Sequence, residues 1–176
     1  VALAVKWFGH VETVYCQAHG HDLPISEREV MAQALVRFES GVGGLLSCNW
    51  SFLGAAGHTH PHPHEEVRVQ GTHGSICGHS GEMSVHIEDP EPRTILPPIE
   101  DTWFPDAFGN SMAHFLACIE SGATPKTDGR GNLHVLQCLF AMHMSANEGR
   151  EVRVDEIGLD DDIDLSPRRV LAANER

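Results

Sequence analysis

The strongest constraint on the fold is a strand–turn–strand pattern in the first third of the chain. Apolar and polar residues partly alternate through VMAQALVRFE at residues 30–39, and a second apolar run, VGGLLSCNWSF, fills residues 42–52. Only Ser40-Gly41 separates the two runs, which leaves room for a tight turn but not for a crossover helix. The pattern therefore predicts an antiparallel hairpin.

Further strands are predicted on both sides of this hairpin by alternation or by β-forming composition. They fall at residues 12–19, 66–70, 75–78 and 83–87, with a last short strand around residues 152–154. Gly71-Thr72-His73-Gly74 supplies glycines at both ends of one connection, as a tight turn requires. We therefore expect one open, largely antiparallel or mixed sheet.

A helical period appears in three other segments. Residues 1–8, VALAVKWF, form an apolar run that begins with Val1 and has no capping residue ahead of it, so we expect the chain to start within a helix, as a fragment. A second helix ends at Gly122 and a third spans about residues 132–148. The predicted apolar stripes are Phe108, Met112, Phe115, Leu116 and Ile119 on the second helix, and Leu133, Leu136, Leu139, Phe140 and Met144 on the third. The predicted fold class is α+β, an open sheet with helices packed on one face.

Charge and composition exclude several classes of partner. A net charge of −13 without a Lys/Arg cluster disfavours nucleic acid. No apolar run reaches the roughly 18 residues that a membrane span requires. The five cysteines are odd in number and widely spaced, which favours free thiols and a cytoplasmic location. The partner is expected to be a small molecule or another copy of the chain.

The segment GHTHPHPHEE is the first candidate site, because four histidines alternate along it: His58, His60, His62 and His64. Three interpretations are open. It is a solvated loop, a metal site formed by His60, His62 and His64, or a substrate contact, since imidazoles hydrogen-bond sugar hydroxyls. His60→Ala with unchanged Michaelis constant and turnover would exclude the substrate role.

Other candidate residues carry a structural alternative beside the functional one. Trp103 can stack on the apolar face of a sugar or pack against the edge of the sheet. His114 and His143 are expected to be structural. Gly41, Gly43 and Gly44 lie between two strands and do not form a phosphate-binding loop. The acidic tail, residues 155–176, is read as a solvated charge run followed by a short helix that opens at residues 166–167, because its spacing does not fit a calcium loop.

Five pieces in order resemble one family: VALAVKWFG, ALVRFESGVGGLLSCNW, VRVQGTHGSI, HFLACIESGATPKTDGRG and LHVLQCLFAMHMSANEGREV. Over residues 1–154 the chain is similar to the C-terminal domain of the glucose-fructose oxidoreductase, inositol dehydrogenase and rhizopine-catabolism (Gfo/Idh/MocA) family. In that family an N-terminal Rossmann domain binds NAD or NADP. A Glu-Lys-Pro lysine and an Asp-x-x-x-His pair transfer the proton, and the histidine would fall just upstream of Val1.

The resemblance implies a division of labour. This chain would be the substrate-binding and oligomerisation domain of an NAD(P)-dependent oxidoreductase acting on a sugar, cyclitol or related polyol. The nucleotide-binding half and the catalytic motifs are absent from this chain, so we expect no catalytic or cofactor-binding residue here and no activity from the chain alone. The open sheet face would form a homo-oligomer. The alternative is a standalone, non-catalytic module that binds sugar or metal or associates with itself.

Overall fold

The computed structural model describes residues 1–20, 29–49, 66–79, 82–87, 93–96 and 104–158. Three helices and eight strands occupy these ranges: α1 Ala2–Phe8, β1 Val11–Gly20, β2 Glu29–Phe38, β3 Gly43–Asn49, β4 Glu66–Gly71, β5 Gly74–His79, β6 Glu82–Ile87, β7 Arg93–Leu96, α2 Asp106–Ser121, α3 Gly129–Glu148 and β8 Val152–Arg153. A single 3₁₀ turn, Val154–Glu156, follows β8. None of the described helices is long and apolar enough to cross a membrane.

The described strands form two open antiparallel sheets. Their strand orders are β3-β2-β1-β8 and β4-β5-β6-β7. Contacts divide the chain into a first unit, residues 1–52 with 127–176, and a second unit, residues 53–126. The α+β class is therefore confirmed, while the single sheet expected from the sequence is replaced by two sheets among the described strands. That residues 1–154 act as one domain stays a prediction.

The predicted hairpin is present and belongs to the first unit. Strands β2 and β3 pair in register from Met31↔Asn49 to Arg37↔Gly43. The turn places Gly41 at φ 84°, a left-handed conformation that favours glycine. Gly44 is also constrained, because a Cβ on it would lie 3.2 Å from Val36 Cγ2. Trp50 and Phe52, predicted at the end of this run, lie outside the described residues.

The core of the first unit lies between one face of its sheet and α3. Alternate residues of β1 and β2 point toward the helix, as the two-residue period of a strand requires. The buried members of this core are Val11, Val14, Cys16, Ala34, Val36, Phe38, Cys138, Ala141, Val152 and Val154. The helix thus covers one face of the sheet, as the sequence predicted.

The side of α3 that packs on the sheet is not the one expected. Its buried residues are Cys138, Ala141 and Ser145. Leu136 and Phe140 are 39 % and 46 % exposed, and Leu133 and Leu139 are similar, whereas Met144 of the predicted set packs partly against the core. Small side chains let the helix backbone approach the strands closely. Periodicity identified an apolar side of α3, but it could not rank that side against the smaller residues next to it.

The second unit contains α2, which ends where the sequence predicted. Gly122 adopts the left-handed conformation at the end of the helix, with φ 69°. The predicted apolar stripe is not buried, because its five residues are between 49 % and 64 % exposed. Only Cys118 of this helix is buried. The apolar stripe is therefore present on one side of α2, but none of the described residues buries it.

The predicted β4–β5 turn is also confirmed. Gly71 pairs with Gly74 at its closing position. Gly74 has φ 157°, and a Cβ on it would clash with the carbonyl oxygen of His86. Glycine is therefore required at this position by the neighbouring strand β6 as well as by the turn.

The first two acidic residues of the tail are exposed and form ion pairs with nearby arginines. Arg153 Nη2 lies 3.0 Å from Asp155 Oδ2, and Arg150 Nη2 lies 2.8 Å from Glu156 Oε2. The 3₁₀ turn brings these oppositely charged side chains together at the surface. The solvated charge run over the whole tail stays a prediction. Residues 159–176, including the predicted short helix, lie outside the described residues.

Candidate functional site

The residues that the sequence singled out for substrate or metal lie outside the described part of the chain. These residues are His58, His60, His62, His64 and Trp103. The histidine segment connects β3 of the first unit to β4 of the second along the chain. The three interpretations of this segment, and the two of Trp103, stay predictions.

Within the described ranges, no three His, Cys, Asp or Glu side chains converge as a metal site requires. Gly41, Gly43 and Gly44 lie in the β2–β3 turn and in β3, as the sequence predicted, so this turn leads into a strand. His114 has a structural environment, since its Nε2 accepts the Lys126 N–H at 3.1 Å. His143 is exposed on α3.

A pair of histidines that the sequence analysis did not identify lies at the junction of α1, β1 and α3. The rings of His10 and His134 stack with centroids 4.1 Å apart and an angle of 15° between their planes. The backbone N–H of Val11 donates to His134 Nε2 at 2.9 Å, and Cys138 Sγ lies 3.5 Å from the same nitrogen. Partial burial, followed by the neighbouring His10, lowers the pKa of His134. The two histidines lie far apart in sequence, so no spacing motif could reveal them.

The second candidate is the face of the first sheet that α3 does not cover, which we call the open face. It is centred on Tyr15, Leu35 and Leu45, which are adjacent across β1, β2 and β3 because Leu35 pairs with both of the others. Leu35 and Leu45 are 58 % and 63 % exposed. Among the described residues β3 is therefore covered on one side only, although its apolar sequence is typical of a strand that is buried on both sides.

A network of charged side chains borders the open face. Thr13 Oγ1 donates to Glu151 Oε1 at 2.6 Å, and Arg37 Nη2 donates to the same oxygen at 3.1 Å. Arg37 Nε also lies 3.7 Å from Glu12, and Arg153 donates to Glu12 Oε1 at 3.2 Å. An apolar centre with a polar, hydrogen-bonded rim is the usual composition of a protein–protein interface.

Comparisons with known proteins identify the family of this chain. Residues 2–154 match the family model described as the oxidoreductase family, C-terminal alpha/beta domain, of the Gfo/Idh/MocA group. A D-apiose dehydrogenase from Paraburkholderia graminis is 27 % identical over 137 residues, which cover 73 % of this chain and 36 % of that protein. The chain thus spans little more than a third of this relative.

Solved structures share the fold. An oxidoreductase from Agrobacterium radiobacter, in complex with NAD⁺, L-tartaric acid and magnesium, has a TM-score of 0.74 and 20 % identity. An aldose-aldose oxidoreductase from Caulobacter crescentus, complexed with glycerol, has a TM-score of 0.68 and 21 % identity, and a levoglucosan dehydrogenase in complex with NADH has 0.72 and 16 %. The three matches cover 86–88 % of this chain and 44–47 % of the others. With the family model matching most of its length, the chain belongs to the Gfo/Idh/MocA oxidoreductase family, and residues 2–154 match its C-terminal alpha/beta domain.

Proposed function

We propose that this chain is the substrate-binding and oligomerisation domain of an NAD(P)-dependent oxidoreductase that acts on a sugar, cyclitol or related polyol. The observation that carries this proposal is the match of residues 2–154 to the C-terminal domain of that family. The names of relatives such as the D-apiose and levoglucosan dehydrogenases support a carbohydrate substrate. NAD or NADP would be bound by an N-terminal Rossmann domain of the full-length protein.

The chemistry is then divided between two parts of the protein. The nicotinamide cofactor supplies hydride transfer, and the protein binds and orients the alcohol. For this chain we propose substrate contacts by His58, His60, His62 and His64, which can donate to or accept from hydroxyl groups, and by Trp103 against an apolar sugar face. A metal site at His60, His62 and His64 is the alternative use of the same segment.

The substrate proposal is tested in the full-length protein by following NAD(P)H formation with a panel of aldoses, anhydrosugars, cyclitols and hydroxy acids. We expect turnover with a carbohydrate or cyclitol. His60→Ala should raise the Michaelis constant without loss of fold, whereas His143→Ala, at an exposed position on α3, should have no effect. Activity confined to hydroxy acids would contradict the substrate class, and unchanged kinetics in His60→Ala would contradict the role of the loop.

The division of labour predicts that the chain expressed alone neither binds NADH or NADPH nor catalyses oxidation. Glycines do open α3, at Gly129 and Gly131, but the Gly131 N–H already donates to the carboxylate of Asp128, whose negative charge would repel a pyrophosphate. A fluorescence titration of NADH with the isolated chain, beside the full-length protein, measures this directly. Micromolar binding by the chain alone would contradict the proposal and favour the standalone module.

The open face supports the oligomerisation role. Leu35 and Leu45 lie side by side, more than half exposed, next to the charged rim of Arg37, Glu12 and Glu151. A second copy that placed its own open face here would bury both leucines and satisfy the rim with groups of opposite charge.

The oligomerisation proposal is tested by sedimentation velocity on the full-length protein. Leu35→Asp should shift the protein toward monomer, because the carboxylate would be buried without a partner at the centre of the interface. Leu35→Val keeps the site apolar and should retain the oligomer. A monomeric wild-type protein, or an unchanged oligomer in Leu35→Asp, would show that this face is not the interface.

A further inference from the structure

The stacked pair His10 and His134 lies where α1 joins the sheet of the first unit. Several contacts converge at this junction. The ring of Phe8 packs against Phe38 with centroids 5.4 Å apart, and Ser40 Oγ donates to the carbonyl oxygen of Phe8 at 3.1 Å. The Glu39 N–H donates to the carbonyl oxygen of His10 at 2.9 Å. The end of α1 and the start of β1 are therefore held by β2 on one side and by α3 on the other.

The connection to α3 depends on one nitrogen. His134 Nε2 accepts the N–H of Val11, and Cys138 Sγ lies against the same nitrogen. A backbone N–H can only donate, so Nε2 must carry its lone pair and the neutral imidazole must hold its proton on Nδ1. Burial raises the pKa of the Cys138 thiol to about 11, so this neighbour stays protonated and can act as a second, weak donor.

Protonation of His134 would turn Nε2 from a hydrogen-bond acceptor into a donor. The new Nε2–H would face the Val11 N–H, and two donors cannot bond to each other. Val11 is only 2 % exposed, so its amide would have no ready access to water. The charge on His134 would also lie against the ring of His10, the second cause after burial of the lowered pKa of His134.

The groups that face His134 come from three places in the chain. His10 stacks on it from the segment before β1, and the carboxylate of Glu39 approaches from the end of β2. From its own helix, Gln137 and Cys138 contact it. Burial and His10 lower the pKa of His134, and together these two effects outweigh the opposing effects of Glu39 and Gln137.

We propose that the His10–His134 stack is an acid-released latch, in which uptake of a proton by His134 frees the first residue of β1 from α3. The latch is independent of the proposed enzymatic function. His10 is exposed, so bulk solvent reaches this junction. Release requires no change in the remainder of β1, which is paired with β2 and β8.

The sign follows from the lowered pKa of His134. The closed form binds a proton less readily than the open form, so the latch is closed above the ordinary histidine pKa of about 6.5. As the pH falls through that value, closure weakens by up to about tenfold for each unit, until the lower pKa of the closed form is reached. Acid therefore opens this junction before the core of the unit.

The test is hydrogen exchange of the Val11 amide in the protein that contains this chain, resolved to single residues by mass spectrometry between about pH 8 and about pH 5. Protection factors correct for the intrinsic pH dependence of exchange. We expect Val11 to lose protection as the pH falls, by up to about tenfold per unit over the window above. The Cys16 amide, which donates to Ser145 Oγ at 2.8 Å in the same strand, should keep its protection.

Two variants and one control distinguish release of Val11 by protonation of His134 from unfolding of the whole unit at acid pH. His134→Gln retains a side-chain oxygen that accepts a hydrogen bond but does not titrate, so Val11 protection should become independent of pH. His10→Phe keeps a flat ring without a charge, and the loss of protection should be smaller. His143→Gln changes an exposed histidine on the same helix and should behave as wild type.

Several outcomes would overturn the latch. Constant Val11 protection in the wild-type protein would do so, as would an equal loss in His134→Gln or a parallel loss at Cys16. If a variant does not fold, a nitrogen chemical-shift titration of the wild-type His134 ring decides the question. A proton found on Nε2 at neutral pH contradicts the proposal, and a lone pair there that is lost in step with Val11 protection supports it.

Discussion

Single buried polar atoms join elements that lie far apart in this sequence. Ser145 of α3 is fully buried, and its hydroxyl accepts the N–H of Cys16 in β1 at 2.8 Å while donating to the carbonyl oxygen of Arg150. One hydroxyl group thus forms hydrogen bonds with both a strand amide and the carbonyl of a residue just past the end of the helix. No pattern in the sequence marks Ser145, since it resembles any other serine in a helix until its neighbours are known.

Ser145→Ala should destabilise the protein by about 1–3 kcal/mol, because it leaves the buried Cys16 amide and the Arg150 carbonyl without partners. Urea unfolding followed by circular dichroism measures the change. Ser121→Ala is the matched control, since that hydroxyl is exposed and bonds only to Ala117 within its own helix. Equal effects from the two substitutions would show that Ser145 has no bridging role.

The cysteines should differ widely in reactivity. Cys138 is fully buried and burial raises its pKa to about 11, whereas Cys48 is exposed. Alkylation depends on the thiolate, so Cys138 should react at least about a hundredfold more slowly than an ordinary exposed thiol near neutral pH. Timed iodoacetamide labelling with mass spectrometry of each peptide checks this. Similar rates at Cys138 and Cys48 would contradict the packing of α3 on the sheet.

At the scale of elements, helix ends were more predictable than helix faces. Gly122 and Gly149 end α2 and α3 in the left-handed conformation, as the sequence indicated, because that backbone geometry is set locally. The side of α3 that packs depends on which surface of the sheet it meets. At this contact Ala141 and Ser145 are buried, whereas the larger leucines of α3 stay exposed. The strands β1 to β6 followed from local alternation and turns, whereas their division into two sheets depends on long-range pairing.

The start of α3 offers a test at this scale. Asp128 caps the helix, and its carboxylate accepts the N–H of Gly131 at 2.9 Å. Asp128→Ala should cost about 1 kcal/mol of unfolding free energy, and Asp128→Asn, which keeps an acceptor, should cost only a few tenths. Chemical denaturation of the three proteins gives the comparison. An Asn variant as unstable as the Ala variant would indicate that the cap hydrogen bond is not the cause.

At the scale of the whole molecule, the first unit is assembled from two separate stretches of chain. Residues 1–52 supply β1 to β3, and residues from 127 onward supply α3 and β8. The candidate site could be predicted from sequence only in part, because the open face follows from the hairpin whereas the histidine stack exists only after the two stretches meet. His58, His60, His62, His64 and Trp103 stay predictions.

Ala141 tests this assembly. It is fully buried between α3 and the sheet, so Ala141→Asp would place a charge in the core and should unfold the first unit. Asn147→Asp introduces the same carboxylate at an exposed position of the same helix and should change the melting temperature little. Thermal unfolding of both variants measures the difference. If Ala141→Asp melted like wild type, α3 would not cover the sheet.

Because the first unit is built from two separate stretches of chain, its sheet and its covering helix leave the ribosome at different times. Gly129, the first residue of α3, follows Asn49, the last residue of β3, by 80 positions. A ribosome adds about 5–20 residues per second, so the hairpin emerges roughly 4–16 s before the helix that covers it. During this interval the side chains of Val14, Val36 and Phe38 face water on the nascent chain. Slower translation of residues 50–128 should therefore increase aggregation of this protein more than slower translation of any stretch after α3.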